Sequence, residues 1–164
     1  MRLLRKIDKA TWWDVDQNAA ADDDSAVGAD AYKNAKTEEN KLSVFEVSTE
    51  DDIQLTLAAI AAGKDALDVV DYCLFDSAVL DEIGIGYAKC EGKTCVDAAN
   101  RLHYDLNNLT ARSLYQLIFK LCMGKSLGRL HESDVRTKLT ALYQEGQIRD
   151  THKLKEKVRK AISA

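Results

Sequence analysis

The chain has 164 residues, of which 46% are hydrophobic and 30% are charged, and its formal net charge is −4 at pH 7. This composition is typical of one globular domain and excludes a disordered chain. Four cysteines are too few for a disulfide framework, and no apolar run approaches the roughly 20 residues that span a bilayer. Since residues 1–10 also lack the apolar core of a signal peptide, we expect a soluble cytoplasmic protein with reduced thiols and no membrane partner.

The N-terminal quarter predicts one strand and a long surface loop. Residues 2–7 mix basic and apolar side chains and favour a first strand, which runs into an aromatic turn at Trp12 and Trp13. Residues 15–40 consist mostly of Ala, Asp, Asn, Lys and Glu with few large apolar anchors. We therefore expect a loop with one helical turn there, and the acidic surface around Asp14 to Glu39 is a candidate contact surface.

The middle of the chain predicts a strand, a helix and a second strand. Residues 42–47 are rich in β-formers, and Ser48 or Thr49 is placed to cap a helix that ends near Gly63. Residues 70–75 favour the second strand. Such a unit normally makes a right-handed crossover between parallel strands of one sheet, with the helix covering that sheet.

An irregular segment follows this unit. Residues 77–83 predict one short helix, and Gly84, Gly86 and Gly92 then indicate a loop that continues to Cys95. Functional residues often lie in loops of this kind. Whether this loop forms a ligand pocket is left open by the sequence.

The C-terminal third predicts three helices. Thr110 is placed to cap the first helix and Gly124 to end it, while Gly146 ends the second. Each helix carries an apolar stripe at helical spacing. The stripes are Leu114, Leu117, Ile118, Leu121 and Cys122 in the first helix, Val135, Leu139 and Leu142 in the second, and Leu154, Val158 and Ile162 in the third.

These elements predict an α+β protein that forms a single domain over residues 1–164. Its N-terminal and middle part contains a small mixed sheet with one covering helix, and its C-terminal third is mostly helical. Residues 1–98 hold 10 basic and 21 acidic side chains, whereas residues 99–164 hold 13 basic and 6 acidic ones. We expect the acidic sheet-containing part and the basic helical part to attract each other within the folded chain.

One segment has part of the spacing of a phosphate-binding loop. Gly86 and Gly92, followed by Lys93 and Thr94, are separated by five residues where the motif has four. The residues before Gly86 also do not predict a buried strand. We therefore expect no nucleotide and no other cofactor there.

An acidic segment has part of the spacing of a calcium loop. Asp14, Asp16, Asn18 and Asp22 alternate as oxygen ligands do, but Ala19 stands at the turn where the motif requires glycine. The closing glutamate is absent as well. A solvated acidic loop is the better interpretation.

Two cysteines and a histidine suggest zinc ligands without completing a set. Cys90, Cys95 and His103 offer soft donors, but a structural zinc site needs four ligands and no fourth is placed by the spacing. His103-Tyr104-Asp105 offers titratable groups without a recognisable nucleophile motif. We therefore expect no tightly bound zinc and identify no catalytic or metal-binding residues.

The final predicted helix carries the strongest positive charge of the chain. The basic residues of this helix, together with Arg149 just before it, form a candidate interaction surface made of Arg149, Lys153, Lys155, Lys157, Arg159 and Lys160. We interpret the chain as a non-enzymatic regulatory or interaction protein whose partner is another protein. Nucleic-acid binding by the basic C-terminal helices is the alternative.

Overall fold

The computed structural model describes residues 1–7, 27–35, 37, 39–124, 127–148, 151 and 154–163. Six strands in this part of the chain form one sheet in the order β4-β5-β2-β1-β3-β6, and every neighbouring pair is antiparallel. The strands are β1 (Arg2–Ile7), β2 (Leu42–Glu46), β3 (Val70–Asp76), β4 (Gly86–Lys89), β5 (His103–Asn107) and β6 (Leu127–Leu130).

Seven helices accompany these strands in the described residues. The two caps predicted from the sequence are present, since Thr49 and Thr110 each form a reciprocal hydrogen-bonded box with the third helical residue, Asp52 or Ser113. The helices are α1 (Ala29–Asn34), α2 (Glu50–Ala62), α3 (Ala78–Ile83), α4 (Asp97–Asn100), α5 (Ala111–Met123), α6 (Glu132–Gln144) and α7 (Glu156–Ile162). None of them is long and apolar enough to cross a membrane.

The sheet has an apolar core on each face. Because side chains alternate along a strand, the adjacent residues Leu3 and Leu4 of β1 enter opposite cores, and both are 0% exposed. Helices α1, α3 and α5 cover the face that contains Leu3. Helices α2, α4, α6 and α7 cover the face that contains Leu4. The structure confirms an α+β fold.

Several details of the predicted architecture need correction. The strands β2 and β3 do run in the same direction, but β1 lies between them, so the sheet is antiparallel rather than mixed. Helices cover both faces instead of one. The C-terminal third contains its three predicted helices and also supplies β5 and β6, and the segment expected to be irregular contains β4.

The acidic and basic parts of the chain share this sheet and are joined by ion pairs. Within the described part of the chain, four pairs link the two parts, and in each of them the cation belongs to residues 99–164 and the carboxylate to residues 1–98. They are Lys120–Glu82, Arg129–Asp71, Lys138–Asp51 and Lys155–Asp65. This polarity agrees with the attraction expected from the charge distribution, although exposed pairs stabilise a protein by at most about 1 kcal/mol each.

The apolar stripes predicted for the three C-terminal helices are buried, except that Leu114 is half-buried. Leu117, Ile118 and Leu121 of α5 lie in the core on the Leu3 face, and Val158 and Ile162 of α7 lie in the other core. We expect Leu121→Ala to reduce the free energy of unfolding by about 2–5 kcal/mol, because it removes buried methyl groups and leaves a cavity. Thermal unfolding measures this loss.

The exposed residue Arg112 on the same helix provides the control. Arg112→Ala should leave the melting temperature nearly unchanged. A Leu121→Ala melting temperature within about 1 °C of the parent would contradict the assignment of this side chain to the core.

Candidate functional site

A cleft of about 830 Å³ opens on the α2 face of the sheet. It lies where the sheet splits: β1 pairs with β2 only at Leu3 and Leu4, while each strand continues along its other neighbour. Beyond the last pair, the guanidinium of Arg5 donates a hydrogen bond of 2.8 Å to the backbone oxygen of Ser43. The side chain thus bridges the two strands after their backbone pairing has ended.

Three residues with chemically active side chains meet in this cleft. His103 and Asp105 are two positions apart on β5, so their side chains lie on the same face of the sheet. Cys90 follows β4 directly, and its amide donates to the backbone oxygen of His103 on the paired strand. Cross-strand pairing therefore brings Cys90 Sγ to 3.1 Å from His103 Nδ1, while His103 Nε2 lies 3.8 Å from Asp105 Oδ1.

The loop after Cys90 is fixed by the buried side chain of Asn100. The Asn100 Oδ1 atom accepts hydrogen bonds from the amide and hydroxyl of Thr94, and its Nδ2 donates to the Thr94 oxygen. The amide of Gly92 donates to the Asn100 backbone oxygen. A Cβ atom on Gly92 would stand 3.0 Å from the Asn100 Cα and 3.2 Å from the His103 Cβ. Only glycine fits this approach without displacing the loop.

Burial keeps the Cys90 and His103 side chains neutral near pH 7. Desolvation raises the pKa of the Cys90 thiol, and the neighbouring Asp105 carboxylate raises it further. Desolvation also lowers the pKa of His103, while Asp105 opposes that shift. The His103 ring is further held by edge-on packing against Phe45, with ring centroids 5.1 Å apart.

This arrangement offers two kinds of chemistry. A thiol beside an imidazole is the geometry of a nucleophile and its base, but a nucleophilic cysteine needs the thiolate form, which burial and Asp105 disfavour here. The same three residues also offer one sulfur, one nitrogen and one oxygen donor, all within 4.8 Å of one another. That donor set is suited to a transition metal.

The remaining walls of the cleft combine apolar and charged groups. Phe45 and the C-terminal end of α2 supply the apolar part, through Ala59, Ile60 and Ala62. Of the residues that the structure describes, four cationic side chains and three carboxylates also line the cleft. The cations are Arg5, Lys6, Lys41 and Lys93, and the carboxylates are Glu39, Glu91 and Asp105.

The basic surface predicted from the sequence is only partly within the described residues. Lys155, Lys157, Arg159 and Lys160 are exposed on α7 or at its first turn, whereas Arg149 and Lys153 lie outside the residues that the structure describes. Two of the exposed cations have acidic partners, Asp65 for Lys155 and Glu156 for Lys160. The structure does not bring this surface and the cleft residues together into one lining.

The other candidate sites suggested by the sequence do not form sites in the described residues. Cys95 also lines the cleft, but it is buried in the apolar core and does not belong to the cluster of Cys90, His103 and Asp105. The segment with phosphate-loop spacing begins with the edge strand β4 instead of forming a turn into a helix. The calcium-like segment around Asp14 and the turn at Trp12 and Trp13 fall outside the described residues.

The sequence indicated Cys90 and His103 as possible zinc ligands and, separately, His103 and Asp105 as titratable neighbours. It did not bring the three residues together, and it suggested no role for Arg5 or Phe45. The alternation of residues 103–107 does indicate a strand. In it, Tyr104 and Leu106 face one core, whereas His103 and Asp105 face the opposite side of the sheet. Recognising that strand would have placed His103 beside Asp105. The pairing with Cys90 depends on the register between β4 and β5, which is not visible in the sequence.

No protein-family model, curated protein or solved structure matches this chain.

The close contact at Gly92 generates a prediction about the accessibility of Cys90. In the native protein, we expect a small thiol reagent to modify Cys90 before the other three cysteines, because Cys73, Cys95 and Cys122 are buried and Cys90 is not. Gly92→Ala should displace the loop and change the rate of Cys90 modification, with a loss of stability of about 1–3 kcal/mol from overpacking. Mass spectrometry of the time course measures that rate.

Gly28→Ala is the matched control, since a Cβ atom at Gly28 meets nothing within 4 Å. Equal rates in the parent and the Gly92→Ala variant would show that the loop tolerates the added methyl group, contrary to the described geometry.

Proposed function

We propose that the protein is a cytoplasmic, non-enzymatic regulatory protein that binds a small anionic ligand in the cleft and acts on a protein partner. The observation that carries this proposal is the split between β1 and β2, which opens the cleft and lines its end with Arg5 and Lys6. A volume of about 830 Å³ lies within the range of small-molecule sites.

The charges around the cleft favour an anion. Among the described residues of the lining, cationic side chains outnumber carboxylates by four to three. Arg5 is half-buried, and charges in partly buried sites interact more strongly than charges on an open surface. The apolar wall along α2 would receive a hydrophobic part of the same ligand.

The state of the Cys90 and His103 pair supports binding rather than catalysis. A thiol-dependent enzyme activates its cysteine by lowering the thiol pKa, whereas here burial raises the pKa of Cys90 and lowers the pKa of His103. Two neutral groups at hydrogen-bond distance are suited to recognising a ligand.

The cysteines support the proposed cytoplasmic location. All four are free thiols, and three of them are buried in the apolar cores as small hydrophobic residues. A chain that folds around reduced cysteines is suited to a reducing compartment.

The surface suggests how a protein partner would bind. Among the described residues, Met1 is the one large hydrophobic side chain in the exposed class, at 37%. A partner would therefore make mainly polar and charged contacts, for which the exposed cations of α7 are the best candidates.

The ligand proposal is tested with the anionic aromatic probe 8-anilinonaphthalene-1-sulfonate, whose fluorescence rises in an apolar site. We expect the folded protein to bind it and Ser43→Phe, which fills the cleft, to abolish binding. Lys93→Glu should raise the dissociation constant about fivefold, equivalent to about 1 kcal/mol.

Lys89→Glu is the matched control, because this substitution changes the net charge by the same amount as Lys93→Glu. Lys89 lies over the Tyr104 ring on the opposite face of the sheet. Binding that survives Ser43→Phe, or that falls equally in the Lys89→Glu and Lys93→Glu variants, would refute the cleft as the site.

Nucleic-acid binding is the second candidate, favoured by the four exposed cations of α7. The acidic partners of Lys155 and Lys160 weaken this surface, so we expect labelled duplex DNA to bind weakly at physiological salt. Submicromolar binding that is lost in Lys155→Glu/Lys160→Glu, with an unchanged melting temperature, would place this function first.

A further inference from the structure

We propose that Cys90, His103 and Asp105 form an exchangeable site for a divalent transition metal, with zinc as the natural class of ion. This site lies in the same cleft as the anionic ligand proposed above, but the metal proposal does not depend on that ligand. It differs from the four-ligand structural zinc site that sequence spacing argued against, because it needs three protein ligands and leaves further coordination positions open to the cleft.

The distances between the donor atoms fit such a site. Two ligands bound to the same zinc ion at tetrahedral angles are about 3.3–3.7 Å apart. An imidazole gives one nitrogen to a metal ion, so the distances that count are those between one donor atom of each residue. The donor atoms of Cys90, His103 and Asp105 all lie within 4.8 Å of one another. Shifts of roughly 1 Å would bring all three onto one ion.

The backbone holds these donors in place before any metal binds. His103 and Asp105 project from a strand that is paired on both sides, by β2 and by β4. Cys90 is fixed by its backbone bond to His103 and by the loop that Asn100 anchors. Sites built on ordered elements lose less conformational freedom on binding, which favours affinity.

The chemical nature of the donors selects the kind of ion. Thiolate and imidazole are soft or borderline ligands that prefer zinc, cobalt or copper, whereas magnesium and calcium require oxygen ligands. The open positions face a cleft with cationic side chains, so a water molecule or an anion would complete the coordination.

Cobalt provides the test, because a cobalt–thiolate bond gives a charge-transfer band in the near ultraviolet. Titration of the reduced, metal-free protein with Co²⁺ should produce this band with saturation at one equivalent, and zinc should abolish it. Cys90→Ser should eliminate the band, and Asp105→Asn should weaken cobalt binding by at least about 10-fold.

Two variants separate this site from other cysteine and histidine combinations. Cys95→Ser removes the second cysteine suggested by the sequence, and His131→Gln removes an exposed histidine at the start of α6. Both should bind cobalt as the parent does, and circular dichroism verifies that each variant is folded. Absence of the band in the parent at a large excess of cobalt would overturn the proposal. Its loss in the Cys95→Ser variant or its retention in the Cys90→Ser variant would do the same.

Discussion

The central strand β1 has to serve two apolar cores at once, and the rest of the structure depends on this constraint. Leu3 and Leu4 are consecutive and fully buried, so both faces of the strand need a helical layer and both edges need a paired strand. The next two residues, Arg5 and Lys6, are charged. Charged side chains are costly to enclose between two closed cores, and the separation of β1 from β2 directly after Leu4 leaves both of them at the cleft instead. The cleft thus begins where charged residues follow the apolar pair on one strand.

The helices could be predicted well because their signals are local. Thr49 and Thr110 cap helices where the sequence placed them, and the stripe that contains Leu117 and Leu121 is buried. The strands β4 and β6 could not be predicted, since each has four residues, includes a glycine and lies at an edge of the sheet. Strand order was also beyond the sequence, because it depends on pairing between distant segments.

The candidate site shows the same division between local and long-range information. His103 and Asp105 were recognisable as titratable neighbours, and their common face follows from the two-residue period of a strand. Their contact with Cys90 depends on the pairing of β4 with β5, and the cleft beside them depends on the early end of the pairing between β1 and β2. Spacing along the chain instead suggested Cys95, which is closer to Cys90 in sequence but belongs to the apolar core.

The strand order has a consequence for how the chain acquires this site during synthesis. Of the described strands, β1 is synthesised first and lies inside the sheet, and β2 and β3 then add to its two sides. The strand β4 cannot join the sheet in the order in which it is synthesised, because its described neighbour in the sheet is β5, which is made later. The backbone partner of Cys90 is therefore absent until residues 103–107 have emerged and paired with β2. The nascent chain can build its central sheet early, whereas the cluster around His103 is completed among the last strand pairings.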